Sequence, residues 1–138
     1  MAFNNVNEFE ISMEGVITGE KWVGKFKSKI HLGVGEEVAY NKRKRELLPT
    51  NLIINSSETQ EMDNMAEALA MTQVRLTAWP IWWGEQGLGA SMLDQNILYE
   101  VYAQVMKPWV ADMKARQEKA LVQAPELRAA QAKKDGLV

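Results

Sequence analysis

Between residues 8 and 32, EFEISMEGVITGEKWVGKFKSKIHL, apolar and polar positions alternate with a period of two. On the first arm Phe9, Ile11 and Met13 fall between Glu8, Glu10, Ser12 and Glu14. On the second, Trp22, Phe26, Ile30 and Leu32 fall among Lys21, Lys25, Lys27 and Lys29. That period marks strands with one buried face. Ile17-Thr18-Gly19-Glu20 between them supplies the glycine that a tight turn needs. The spacing predicts a β-hairpin. A two-residue loop at Thr18-Gly19 would set Ile11 opposite Phe26, Glu10 opposite Lys27 and Glu8 opposite Lys29. One face is then apolar and the other pairs acid with base.

After Gly33-Val34-Gly35 the pattern changes. Residues 36 to 48 predict a helix ended by Pro49, with Val38, Tyr40, Leu47 and Leu48 as its modest apolar side. The connector 49 to 57 has an apolar centre at Leu52, Ile53 and Ile54 that could add a short strand. A second helix is expected from Ser57 or Thr59 to about Trp79, because Met62, Met65, Ala66, Leu69, Ala70 and Leu76 recur at three- and four-residue spacing. Pro80 stops it. Ser91-Met92-Leu93-Asp94 has the form of a capping box and opens a last helix with a stripe at Leu93, Ile97, Val101, Val105 and Trp109. Pro108 should kink that helix or begin a new segment. From about Met113 the chain is alanine- and charge-rich and buries little by itself. The expected fold is α+β: an N-terminal antiparallel β-hairpin packed on three to four helices, with an extended helical or disordered C-terminal tail. One domain is expected over 1–112 and an extension over 113–138.

Composition narrows the chemistry. At 138 residues there is room for one modest core. Cysteine is absent, which removes disulfides, thiol catalysis and cysteine-based metal sites. No stretch reaches the roughly 18 apolar residues of a membrane span. The first twelve residues have neither the charge nor the apolar core of a secretory signal, so an intracellular protein is expected. Sixteen basic against eighteen acidic residues argue against a general nucleic-acid binder. The basic run Lys42-Arg43-Lys44-Arg45 spans more than one helical turn and fans around it as a solvated face.

Enzyme chemistry has little to stand on. His31 is the single histidine and lacks a partner set for a metal or a general base. Glu36-Glu37 and Glu58-Glu61 sit at helix starts, where negative charge suits the dipole. The glycines at 84, 87 and 89 do not form a phosphate-cradling loop. No catalytic, cofactor or metal residue is expected. Interest shifts to AWPIWWGEQGLGASMLD, residues 78 to 94, with three tryptophans in five positions. Each can bury on the order of 150–250 Å². Trp82, Trp83 and Trp22 are expected in a shared aromatic core against Ile97 and Val101; tryptophans left exposed would serve as binding hot spots. Trp79, Trp82, Trp83, Trp22 and Trp109 are the candidate protein-interaction residues.

Three motifs occur in order: Glu14-Gly15, Thr18-Gly19-Glu20, Gly24 and Phe26; then Pro80, Trp82 and Trp83; then Leu93, Asp94 and Asn96 with the tyrosines that follow. Over about residues 8 to 110 this arrangement resembles the tail assembly chaperones of long-tailed bacteriophages. The resemblance implies a non-enzymatic protein of the host cytoplasm during phage assembly. Its implied partners are the tape measure protein and tail-tube subunits; the hairpin's edges suggest self-association as well, and composition speaks against a membrane and against nucleic acid. The alternative is a structural component of the virion's head, neck or tail that assembles through hairpin strand addition and its C-terminal tail.

Overall fold

The alternating arms pair as expected, into β1 (Val6–Glu14) and β2 (Lys21–Lys29). In the computed structural model, which describes residues 4–48, 57–85 and 87–134, the chain is α+β. An N-terminal three-stranded antiparallel sheet of order β1-β2-β3 is followed by helices, the third strand being β3 (Leu76–Ala78). The helices are α1 (Val34–Leu47), α2 (Ser57–Arg75), α3 (Ile81–Glu85) and α4 (Gln95–Lys134). The segment with Leu52, Ile53 and Ile54 lies outside the described residues.

The hairpin register differs from the two-residue-loop expectation by two positions. Glu8 faces Lys27, Glu10 faces Lys25, Phe9 faces Phe26 and Ile11 faces Gly24. The ladder closes at Gly15 and Glu20, leaving Val16 to Gly19 as the loop. A slip of two keeps every side chain on its predicted face. Phe9, Ile11, Met13, Trp22 and Phe26 therefore still point to the core, and the glutamates and lysines still point to solvent. The wider loop exists because it wraps a carboxylate, described below.

The second helix also stops earlier than its periodicity suggests. It ends at Arg75, and Leu76–Ala78 leaves it directly as β3. Ser28 pairs with Leu76 and Lys27 with Ala78, with an irregularity between Lys27 and Ser28. Backbone groups of β2 need partners on this side, and that tertiary demand overrides a local helix preference. Arg75, buried at the end of α2, adds its guanidinium to the carbonyls of Ile30 and Lys29. The expected apolar side of α1 is used only in part, with Tyr40, Leu47 and Leu48 half-buried. Val38 is exposed and no residue of α1 is buried. Polar contacts hold that helix instead: Tyr40 donates to Glu67, Lys44 lies 3.1 Å from Glu67 and 3.4 Å from Asp63, and Arg43 donates to Gln73 at 2.8 Å.

The last helix starts at Gln95, four residues after the expected Ser91, because Asp94 has other work. Leu93 accordingly stands outside the stripe and is exposed, while Ile97, Leu98, Val101 and Val105 are buried. Helix α4 continues through Pro108 and is helical to Lys134, so the proline ends nothing. One compact unit runs to Met106 and a second begins at Lys107. The second contains Trp109, half-buried, and an Arg116–Asp112 pair at 2.9 Å one turn apart.

Ile11, Phe26, Leu76, Trp83, Met92, Ile97, Leu98, Val101 and Val105 make the core of the first unit. Trp83 has no exposed surface. It meets Phe26 edge-on at 5.5 Å and Trp82 at 6.1 Å, the tilted geometry that aromatic quadrupoles favour. The glycine-rich stretch explains itself here. Gly87, Leu88 and Gly89 all have positive φ, and a Cβ at Gly89 would lie 2.8 Å from the Trp83 ring. The loop folds down on the indole because it has no side chain there. Trp83→Ala is expected to lower the unfolding free energy by about 3–5 kcal/mol, as large core truncations do. Trp79→Ala, at a position 40% exposed, should cost about 1 kcal/mol or less. Urea denaturation of the two variants checks the difference, and equal losses would remove Trp83 from its central place.

Candidate protein-interaction surface

Asp94 is fully buried and precedes the first turn of α4. Its Oδ1 accepts the backbone N–H of Ile17 at 2.7 Å and of Thr18 at 2.8 Å. Its Oδ2 accepts the Thr18 hydroxyl and the Trp22 indole N–H, the latter at 2.9 Å. A buried carboxylate needs several donors to offset lost hydration, and the hairpin loop provides them. Gly15 sits directly beneath, where a Cβ would run into the carboxylate. Asn96 finishes the joint: its Oδ1 accepts from Val16 N–H at 3.1 Å and its Nδ2 donates to the Glu14 carbonyl at 2.9 Å.

The aromatic residues meet the sheet just beyond. Trp82 lies 5.0 Å from Trp22 and 5.8 Å from Phe26, and its indole donates to the Val23 carbonyl at 2.9 Å. Pro80 rests on Gly24, where a Cβ would come within 2.7 Å of the proline Cβ. Thus Gly15, Thr18, Gly24, Phe26, Pro80, Trp82, Trp83, Asp94 and Asn96, scattered over more than eighty positions, converge on one joint between the hairpin and the rest of the first unit.

The five candidate tryptophans separate. Trp83 is core; Trp22 and Trp82 are half-buried against it; Trp79 is exposed beside Gly84. Trp109 belongs to the second unit, where it is half-buried. Trp79 and Ala78 border an open groove of about 460 Å³ on the solvent face of the sheet, floored by Glu8, Glu10, Lys25 and Lys27. Sequence periodicity did not single out two exposed apolar residues, Val16 and Ile17. The Asp94 and Asn96 bonds bring them to the same end of the hairpin. An alternating strand pattern does not say where its loop residues point, so no local signal could have found them.

Other chemistry is sparse. Among the described residues no group of three or more His, Asp or Glu could hold a metal ion. No described helix is long and apolar enough to cross a membrane. His31 is engaged through its backbone with the Asn5 side chain, at 2.7 and 2.9 Å. In the basic run, Arg43 and Lys44 turn toward polar and acidic residues of α2. Glu67 receives Tyr40 and Lys44, and burial together with that bond pushes the Tyr40 pKa well above its ordinary value.

Comparison of the chain with protein-family models, with curated proteins and with solved structures found no match.

Burial alone would raise the Asp94 pKa, but the Thr18 hydroxyl and N–H, the Trp22 indole and the Ile17 N–H outweigh it and hold the carboxyl at about 2, below its ordinary 3.8. A folded-state pKa below the unfolded one contributes stability that is complete above about pH 4 and is lost as pH falls through about 2. Thermal melts between those values should show falling Tm for the native chain, with a flatter profile in Asp94→Asn. An unchanged profile would mean that the carboxylate is not held as described. Gly15→Ala should cost roughly 1–3 kcal/mol at neutral pH, the usual range for overpacking, read in the same melts.

Proposed function

We propose that this protein is a non-enzymatic, protein-binding assembly factor of the tail-assembly-chaperone kind, acting in the host cytoplasm on the tape measure protein or tail-tube subunits. The observation that carries this reading is the convergence at Asp94. Of the residues behind the resemblance, Gly15, Thr18, Gly24, Phe26, Pro80, Trp82, Trp83, Asp94 and Asn96 meet in one packed joint, so the likeness falls largely on a structural unit. That joint also sets Val16 and Ile17 at a rigid tip, where Val16 is 77% exposed and Ile17 70%. Apolar side chains held out by a satisfied polar network suit contact with the apolar stripe of a partner helix.

The alternative is a virion component that joins its neighbours by strand addition. It is favoured by a different observation: no strand pairs with the outer edge of β1 among the described residues. Both readings make the protein a binder; they differ in whether it stays. Mass spectrometry of purified mature particles and of infected-cell lysate separates them. The chaperone reading expects peptides of this protein in lysate only, with co-purification of the tape measure protein that Ile17→Asp reduces at least about tenfold, in line with loss of an interface anchor. A constant copy number per particle would replace it with the structural reading.

A further inference from the structure

The two edges of the sheet are treated differently. On β2's outer side, β3 pairs with Lys27 and Ser28, Trp82 takes the Val23 carbonyl, and Arg75 takes those of Lys29 and Ile30. On β1's outer side no strand pairs among the described residues. The Ile30 N–H donates to the Asn5 carbonyl at 3.1 Å and the Gly15 N–H to the Glu20 carbonyl at 2.8 Å, so the odd positions of β1 bond to β2. Antiparallel geometry then points the N–H and C=O of the even positions outward.

Both ends of that edge are closed by side chains. Asn4 accepts the Val6 N–H at 3.1 Å, and Asn96 donates to the Glu14 carbonyl. Between them Glu8, Glu10 and Ser12 present backbone groups unpaired among the described residues, a length that fits a short added strand.

Charge selects the occupant. The even side chains share the solvent face, and Glu8, Glu10 and Glu14 lie on it. A second copy docking β1 against β1 in antiparallel fashion meets a like-charge clash in every register that keeps the faces aligned and pairs five or more residues. Glu10 opposes Glu10 in one, Glu8 opposes Glu10 or Glu14 in the next two, Glu10 opposes Glu14 in a fourth and Glu8 opposes Glu8 in a fifth. Within the chain, the strand that does pair with β1 carries Lys27 opposite Glu8, Lys25 opposite Glu10 and Lys21 opposite Glu14. Lys27 reaches Glu8 at 3.4 Å.

We infer that the free edge of β1 accepts an extended peptide of a partner protein with Lys or Arg at alternate positions, added antiparallel beside Glu8 to Ser12. The partner's basic side chains would flank the glutamates from the side opposite β2. This rests on the protein-binding reading above and specifies the chemistry of one partner segment; it does not depend on whether the assembly is transient or retained.

The test is a titration of the full-length protein with two labelled peptides, one alternating Lys with Val and one alternating Glu with Val. At low salt the Lys peptide should bind at least about tenfold tighter than the Glu peptide, from opposite-charge against like-charge cross-strand pairs. The gap should narrow at high salt. By NMR, amide exchange of Glu8, Glu10 and Ser12 should slow on binding. Glu10→Pro removes an outward N–H while sparing the bonds to β2, and should abolish binding. Glu8→Lys with Glu10→Lys should invert the peptide preference, which keeps the test decisive where the proline variant fails to fold. Equal affinity for both peptides, binding insensitive to both variants, protection elsewhere in the chain, or self-association lost on Glu10→Pro would each overturn the inference. The particle and tape-measure experiments report separately on the proposed function, so either reading can fail while the other stands.

Discussion

A carboxylate withdrawn from water has to be met by donors, and at Asp94 those donors come from a segment more than seventy positions earlier. That requirement shapes the N-terminal half. The loop from Val16 to Gly19 must be wide enough to turn two successive N–H groups onto one oxygen, much as backbone concavities elsewhere bind anions. Gly19, at φ +72°, makes the return possible, and Gly15 leaves the space the carboxylate fills. The strand register follows from the loop, and the faces of the sheet follow from the register. Because the same residue precedes the first turn of α4, the hairpin and the helix that supplies Ile97, Val101 and Val105 are locked in one relation.

Much of this was legible in the sequence and some could not be. The alternation over residues 8 to 32 assigns both strands and both faces correctly, since period two reports burial directly. It cannot report register, because a shift of two leaves the pattern intact and only the distant Asp94 decides between the options. The spacing in α2 is real, but nothing local marks its stop at Arg75; the demand comes from the backbone of β2. Ser91 and Asp94 have the right spacing for a capping box, yet burial gives the aspartate to the hairpin. The aromatic core of Trp22, Trp82 and Trp83 could be anticipated from bulk alone, whereas the exposed tip at Val16 and Ile17 could not.

The glycines and tryptophans solve one problem together. A small unit buries a large share of its apolar surface in few residues, and an indole as large as Trp83 leaves little room for what lies over it. Gly89 lets backbone close on the ring, and Gly24 lets Pro80 lie on the strand. The indole N–H of Trp83 finds no acceptor among the described residues, a cost of about 1–3 kcal/mol for an unmet buried donor. Tight enclosure on several sides, with edge-on contacts to Phe26 and Trp82, offsets it.

Rigid closure at one end of the hairpin gives meaning to openness along its side. A free strand edge on a frayed hairpin would offer a partner little, since ordering the template would consume the gain from the new bonds. Here the loop is tied by Asp94 and Asn96, and the far end by the bonds between Asn5 and His31. The template is therefore ordered before anything arrives. An open, ordered edge is also a hazard, because identical chains present identical edges. Glutamates at 8, 10 and 14 counter that hazard by penalising every aligned antiparallel pairing of β1 with itself that spans five or more residues. The same charges that repel a second copy attract a basic strand, so protection against self-assembly and selection of a partner become one arrangement of three side chains.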